Sequence, residues 1–152
     1  MAVEIRIASE GDSQTVAELV MELLLELEPE VKYELIQMNL PKLTLNLLSK
    51  FKIIAFIAFD DEKPIGVITL HECAAIYAGG VFAEISELFV RPEYRSHGIG
   101  KKLLKAANQE ALNRHWSRIE VGAPKQEKWP KTISFYLNNG FKEIGPRLRA
   151  IV

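Results

Sequence analysis

Two glycines and two cations stand close together about two-thirds of the way along the chain, in the order Arg95, Gly98, Gly100 and Lys101. Apolar residues recur at helical spacing after them, which predicts that a helix begins near Ile99. The first amides of a helix have no partner inside it and lie at the positive end of its dipole. Because glycine has no side chain, an anion can approach those amides closely. The segment therefore predicts a pyrophosphate-binding loop.

Other glycine motifs fit this segment less well. A nucleotide P-loop requires a glycine, four residues and then Gly-Lys-Ser/Thr, but Lys102 follows Gly100-Lys101 here. The dinucleotide fingerprint requires a third glycine three residues after the second, and that position is Leu103. A helix start whose glycines serve only turn geometry stays open as an alternative.

Length, charge and cysteine count limit the class of protein. The 152 residues suffice for one domain with its own core, so we expect a single domain over 1–152. A net charge of −1 gives no basic field for nucleic acid or anionic membranes. The single cysteine, Cys73, excludes an internal disulfide and fits a reducing compartment. The N-terminus lacks a signal-peptide pattern, and the most apolar run, 53–59, is too short to span a membrane. We predict a cytoplasmic protein that binds neither nucleic acid nor a membrane.

Hydrophobic periodicity predicts one α/β domain with α+β character, in which about four helices flank a mixed central sheet of about seven strands. The predicted strands cover 3–7, 51–59, 65–70, 82–90, 118–121, 141–144 and 147–151. The first predicted helix covers 16–27 and follows capping residues within 9–13. The other predicted helices lie around 43–48, from 99 to 111 and over 133–137, and 29–41 is predicted as a connection. This order places the glycine loop directly between the fourth strand and the third helix.

The glycine loop and a downstream segment together resemble a known family. Arg95-x-x-Gly98-x-Gly100 follows Leu88-Phe89-Val90-x-Pro92, which resembles the acyl-CoA-binding motif of the GNAT superfamily of N-acetyltransferases. Downstream, Phe135-Tyr136-Leu137-Asn138-Asn139-Gly140-Phe141 resembles the later motif of that family, a tyrosine four residues before Gly-Phe. The resemblance covers the whole chain in element order. It implies a GNAT-type fold, acetyl-CoA as co-substrate and transfer of acetyl to an amine.

The sequence departs from the family pattern at two places. Ser96 stands where many members carry another glycine, which exchanges one small residue for another. Trp129-Pro130 stand where many members carry an asparagine that contacts CoA, so no role is transferred to that position.

The resemblance implies roles for residues of both segments. The cofactor-binding residues would be Leu88, Phe89, Val90, Arg95, Ser96, His97, Gly98, Ile99, Gly100, Lys101 and Tyr136. The backbone amides of 88–90 would bind the pantetheine arm and polarise the thioester carbonyl. Tyr136 would donate a proton to the departing sulfur, with a core aromatic beside Phe135 and Phe141 as the alternative.

Amine acetylation also requires a base, because an alkyl ammonium with a pKa near ~10.4 must lose a proton before it attacks. Members of the family place a catalytic carboxylate near the positions of Glu84 and Glu87. In a regular strand the spacing of these two residues puts them on opposite faces. A β-bulge between them would bring both to the cleft, and bulges gather beside active sites. Which of the two is the base stays open, and a solvated glutamate is the alternative for each.

The acceptor is expected to be a primary amine of a small molecule. A cationic amine could bind to Glu26, Glu28, Glu30 and Glu34, although a solvated acidic face explains the same residues. A protein or peptide acetyltransferase stays an alternative, as does a catalytically silent acyl-CoA-binding module. The apolar end of the chain, 148–152, leaves homodimerisation open.

No metal is expected. His71, His97 and His115 have no metal-ligand spacing with each other or with Cys73.

Overall fold

The computed structural model describes residues 1–124 and 128–152, which form two compact units, Met1–Glu120 and Val121–Val152. The first half of the chain contains β1 (Val3–Ile7), α1 (Ser13–Leu27), α2 (Lys32–Met38), α3 (Leu40–Ser49) and β2 (Ile54–Asp60). The chain from residue 63 onwards contains β3 (Lys63–Ala75), β4 (Gly80–Val90), α4 (Ile99–Asn113), β5 (Ile119–Val121) and α5 (Pro130–Asn138). The described residues also contain short 3₁₀ turns at Glu10–Asp12, Pro29–Val31 and Pro92–Tyr94.

Five strands form one sheet in the order β1-β2-β3-β4-β5, and the first four are paired antiparallel. The Ser117 N–H donates to the Val81 carbonyl, and the Ala83 N–H donates to the Arg118 carbonyl, both at 3.1 Å. Because both partners advance together along the chain, β5 runs parallel to β4, with α4 as the crossover. The sheet is therefore mixed.

Helices cover both faces of the sheet in the first unit. On one face, which we call the α1 face, apolar side chains of α1 and α3 pack on the strands. The buried cluster there consists of Val16, Leu19, Leu48, Ala55, Ile57, Phe59, Val67 and Phe89. On the opposite face α4 lies against the sheet, and its buried side chains are Ile99, Leu103, Leu104 and Ala107. The i, i+4 spacing of Ile99 and Leu103 explains why this helix buries one side and exposes its lysines.

The prediction of about seven strands was wrong, because the described residues contain five. Residues 141–144 and 147–151 have no regular structure, and every residue after Phe141 is exposed. Alternating apolar residues form a strand only against a partner edge. In addition, Gly145 has a φ of 132°, and Pro146 cannot donate to a ladder. Leu148 is 91% exposed, and homodimerisation through this segment stays a prediction.

The prediction of about four helices missed α2, since the described residues contain five α-helices. Leu35 is the buried residue of α2, so the apolar periodicity of this short helix is weak. Asn39 separates α2 from α3 with a φ of 51°, and its side-chain oxygen accepts a hydrogen bond from the Lys42 N–H at 3.3 Å. Among the described residues, no helix combines the length and apolar character needed to cross a membrane.

The sheet and α4 approach each other closely at Gly66. A Cβ at Gly66 would lie 2.9 Å from the carbonyl oxygen of Phe89 and 3.3 Å from Cδ1 of Leu103. We expect Gly66→Ala to lower the free energy of unfolding by about 1–3 kcal/mol in urea denaturation, because backbone and a packed helix must move. Gly11→Ala is the control, since a Cβ there would meet Ser9 Oγ at 3.7 Å. Equal loss in both variants would contradict this packing account.

Candidate functional site

The glycine loop between β4 and α4 has a backbone that exposes amide groups. Ser96 and Gly98 both have left-handed backbone angles, with φ of 65° and 76°. The Lys102 N–H donates to the Gly98 carbonyl at 3.1 Å, which starts the hydrogen-bond series of α4. The amides of Ile99, Gly100 and Lys101 precede that bond, so no helix carbonyl lies four residues before them. We call the amides of residues 98–101 the cradle.

The cradle has room for an anionic group. Apart from Gly98 itself and its two chain neighbours, no heavy atom of the described residues lies within 4 Å of the place where a Cβ of Gly98 would stand. Gly98 and Lys101 are exposed, while Ile99, the first residue of α4, is buried and fixes the first turn. Amides at the start of a helix, an open approach and the positive end of a helix dipole are the features that a pyrophosphate requires. The residues present therefore fit CoA.

His97 is oriented towards its own loop. Its Nδ1 lies 2.8 Å from the carbonyl oxygen of Arg95 and 3.2 Å from that of Tyr94. Because both partners are acceptors, the network assigns the proton to Nδ1. The ring thus stabilises the loop, and contact of His97 with CoA stays a prediction.

Arg95 connects the loop to α1. Its guanidinium donates to both carboxylate oxygens of Glu26, at 2.9 and 2.6 Å, and its Nε donates to the Val90 carbonyl at 2.8 Å. The hydrogen bond that Arg95 donates to Glu26 is the main reason why the pKa of Arg95 is raised. A second pair joins Arg91 Nε to Glu22 at 3.0 Å. The charge that sequence analysis assigned to the phosphates is therefore neutralised by Glu26 in this structure, and a phosphate contact of Arg95 stays a prediction.

The end of β4, with Leu88, Phe89 and Val90, leads into this loop. Phe89 belongs to the buried cluster of the α1 face, while Leu88 pairs with Ile68 and is half-buried. The hydrogen bonds between β4 and residues 117–118 are made at Val81 and Ala83, at the opposite end of the strand. Binding of the pantetheine arm by the amides of 88–90 stays a prediction.

A β-bulge interrupts β4 between the two candidate carboxylates. Thr69 pairs with Glu87 and Leu70 pairs with Ile85, so Ser86 is an extra residue without a partner on β3. Glu84 and Glu87 could share a cleft only if a β-bulge lay between them, and this bulge is present.

The bulge places Glu84 and Glu87 on the same face of the sheet. Glu87 pairs with Thr69 and Glu84 pairs with His71. Thr69 and His71 are two residues apart on β3, so their side chains point to the same side. That side is the α1 face, because Val67, two residues before Thr69, belongs to its buried cluster.

Glu87 is held against the sheet by Thr69. The Thr69 hydroxyl donates to a carboxylate oxygen of Glu87 and accepts from the Glu87 N–H at 3.0 Å. Thr69 is 1% exposed, so its hydroxyl has little freedom to turn elsewhere. This pair fixes the position of the Glu87 carboxylate.

Glu84 lies in a group that sequence analysis missed. Ligand atoms of His71, Cys73 and Glu84 all lie within 4.8 Å of one another. Burial, followed by the charge of Glu84, raises the pKa of the Cys73 thiol. The His71-x-Cys73 spacing could have indicated this group, because residues two apart on a strand share a face.

Tyr136 lies on α5 in the second unit. It is 7% exposed, and its ring contacts Phe135 and Phe141 with centroid distances of 5.4 and 5.2 Å. The Phe141 N–H donates to the Tyr136 carbonyl at 3.1 Å, which turns the chain back after Gly140. Burial raises the pKa of Tyr136 to about 12. The phenol is therefore protonated at neutral pH.

Comparison with known families decides the classification. The family model described as an acetyltransferase (GNAT) domain matches residues 52–143, which is more than half of the chain. The chain belongs to the GNAT acetyltransferase family. The match includes β4, the cradle and Tyr136, although it does not test the role of any single residue.

Solved structures of similar fold extend over nearly the whole GNAT chain. A ribosomal-protein-alanine N-acetyltransferase from Brucella melitensis biovar Abortus 2308 is 18% identical, with a TM-score of 0.79 and coverage of 100% of both chains. An aminoglycoside acetyltransferase from an uncultured soil metagenomic sample is 23% identical, with a TM-score of 0.76 over 99% of this chain and 96% of that one. A predicted acetyltransferase from Clostridium acetobutylicum, with acetyl-CoA, is 19% identical, with a TM-score of 0.81 over 99% and 96%. At these identities the similarity shows the GNAT fold alone.

The raised pKa of Tyr136 predicts a specific alkaline destabilisation. The pKa is about 12 in the folded GNAT chain and about 10 for an ordinary tyrosine. Between these values the folded state keeps a proton that the unfolded state has lost, so the contribution of Tyr136 to stability falls as pH rises. We expect wild type to lose stability relative to Tyr136→Phe from about pH 10 towards about pH 12, measured by urea denaturation. Parallel pH curves for the two proteins would contradict burial of the phenol.

Proposed function

We propose that this protein transfers the acetyl group of acetyl-CoA to the primary amine of a small molecule in the cytoplasm. The observation that carries the proposal is the arrangement along β4, where two carboxylates share one face and an open amide cradle follows the strand. The cytoplasmic location rests on the single cysteine, which suits a reducing compartment.

Acetyl-CoA supplies an activated acetyl thioester. The amides of the cradle would hold its pyrophosphate, and Lys101 would add positive charge at the same helix end. Arg95 would support pyrophosphate binding indirectly, because its ion pair with Glu26 holds the loop on α1. By family resemblance, the amides of 88–90 would hold the pantetheine arm and stabilise negative charge that develops on the thioester oxygen.

Glu84 and Glu87 are the candidate bases. Each can accept a proton from the acceptor ammonium, directly or through a water, and so produce the neutral amine that attacks. Glu87 is positioned by the Thr69 hydroxyl, and Glu84 faces the same side two ladder positions away. A fixed carboxylate on a shared face supports a base role for either residue.

Tyr136 is the proposed acid by family resemblance. Its phenol keeps its proton at neutral pH because the pKa is about 12. Full transfer of that proton to a thiolate of pKa about 8.5 would be uphill by roughly 5 kcal/mol on these pKa values. Donation of a hydrogen bond to the departing sulfur avoids most of this cost, so we propose that Tyr136 acts chiefly in that way.

A small cationic amine is the acceptor we favour. Glu28, Glu30 and Glu34 are exposed between α1 and α3, whereas Glu26 is engaged by Arg95. Exposed carboxylates attract cationic ligands over a range of about 10 Å at moderate salt. Aminoglycoside acetyltransferases and a ribosomal-protein-alanine N-acetyltransferase both occur among proteins of similar structure, so the fold accommodates either class of acceptor.

An acceptor screen tests the proposal. Thiol release from acetyl-CoA would be measured with cationic, neutral and anionic small amines and with peptides that carry free N-termini. We expect turnover with cationic small amines. Turnover with peptides alone would identify a peptide acetyltransferase, and CoA binding without turnover on any amine would identify a silent acyl-CoA-binding module.

Variants of the three candidate groups are expected to separate chemistry from binding. Loss of a general base or acid costs about 10²–10⁴ in rate. We therefore expect kcat to fall in Tyr136→Phe and in at least one of Glu84→Gln and Glu87→Gln, while CoA affinity stays within about threefold of wild type. Tyr33→Phe is the matched control, because Tyr33 is 72% exposed. Unchanged kcat in both glutamine variants would contradict the proposal that Glu84 or Glu87 is the base.

A further inference from the structure

Three side chains with different metal-binding atoms meet on the α1 face. A ring nitrogen of His71, the sulfur of Cys73 and a carboxylate oxygen of Glu84 lie within 4.8 Å of one another. All three side chains are half-buried, so a solvated ion can reach them while part of its surroundings is protein. The sequence spacing of the histidines and Cys73 did not predict a metal site, because Glu84 comes from the partner strand.

The strand register holds this group together. His71 and Glu84 are direct partners in the antiparallel pair, and Cys73 is two residues further along β3. Direct partners place their Cβ atoms about 4.5–5.5 Å apart, and residues two apart on a strand project to the same face. The donors are therefore brought together by the backbone of a well-paired hairpin rather than by flexible loops.

The donor set suits zinc. Thiolate, imidazole and carboxylate are the three ligand types that Zn²⁺ binds, and three protein ligands leave a fourth position for water. A thiolate and a carboxylate carry two negative charges, which Zn²⁺ neutralises. When the metal binds, the Cys73 thiol must release its proton to the solvent.

A neighbouring contact supports the same geometry. Nδ1 of His71 lies 3.0 Å from the hydroxyl oxygen of Ser86, the bulge residue. Hydrogen bonds of this kind orient metal-binding imidazoles and set their tautomer. The bulge that aligns Glu84 and Glu87 thus also holds the ring of His71.

We propose that His71, Cys73 and Glu84 form a Zn²⁺ site. Occupation of this site engages Glu84, a candidate base, and thereby inhibits acetyl transfer. The inhibition rests on the function proposed above, whereas metal binding itself does not.

Cobalt substitution tests the site without reference to activity. The reduced 152-residue chain would be titrated with Co²⁺ under anaerobic conditions and then with Zn²⁺. We expect a near-ultraviolet thiolate-to-cobalt absorption band that Zn²⁺ abolishes by displacement. Cys73→Ser should lose the band, and His71→Ala and Glu84→Gln should each weaken Co²⁺ binding by about tenfold or more. His115→Ala is the control, since His115 is exposed and outside the group.

Two results would overturn the site. One is the absence of a thiolate-to-cobalt band in wild type. The other is unchanged Co²⁺ affinity in both His71→Ala and Glu84→Gln, which would show that Cys73 binds cobalt without the other two residues. If circular dichroism shows that Cys73→Ser does not fold, the other two variants decide.

Inhibition is measured separately, against the metal-free rate of each protein. Zn²⁺ should slow acetyl transfer by wild type at concentrations that leave Cys73→Ser active. Equal inhibition of both proteins would contradict the inhibitory role. If no amine is acetylated by any form of the protein, the proposed function fails while the cobalt spectrum still decides the metal site.

Discussion

The pairing of β3 with β4 is the constraint on which the rest of the site depends. One extra residue, Ser86, shifts the register between Thr69 and Leu70. Without it, Glu84 and Glu87 would point to opposite faces, one of them towards α4. With it, both carboxylates face the side covered by α1 and α3, and Glu84 also meets His71 and Cys73. The candidate catalytic carboxylates and the candidate metal site therefore both depend on the same β-bulge.

The strand β4 leads into the cradle, whose position is fixed by packing and by ion pairs. Ile99 is buried and fixes the first turn of α4. Arg95 and Arg91 each reach a glutamate of α1. Exposed ion pairs contribute only about 0–1 kcal/mol each to stability, so we attribute to them the position of the loop rather than the stability of the fold. A cradle held in place before the ligand arrives loses less entropy on binding.

Much of this arrangement could be predicted from sequence, and the omissions have physical reasons. The periodicity of α1 and α4 and the paired glycines predicted the elements around the cradle, because those signals are local. The strands expected over 141–144 and 147–151 are absent from the described residues, since alternation does not supply a partner edge. The partner of Arg95, Glu26, is 69 residues away in sequence. Likewise, the proximity of Cys73 to Glu84 depends on strand register, which a single sequence does not contain.

Binding of CoA by the cradle is the central claim, and calorimetry with paired glycine variants tests it most directly. Gly98 and Gly79 have φ of 76° and 75°, and at neither residue would an added Cβ have a heavy atom of the described residues within 4 Å, apart from the glycine itself and its two chain neighbours. Alanine therefore imposes similar backbone strain at both sites, but only Gly98 belongs to the cradle. We predict that CoA binds wild type and Gly79→Ala equally and binds Gly98→Ala about tenfold or more weakly, a loss of about 1.4 kcal/mol. Equal affinity in all three proteins, or no binding to wild type, would contradict the account.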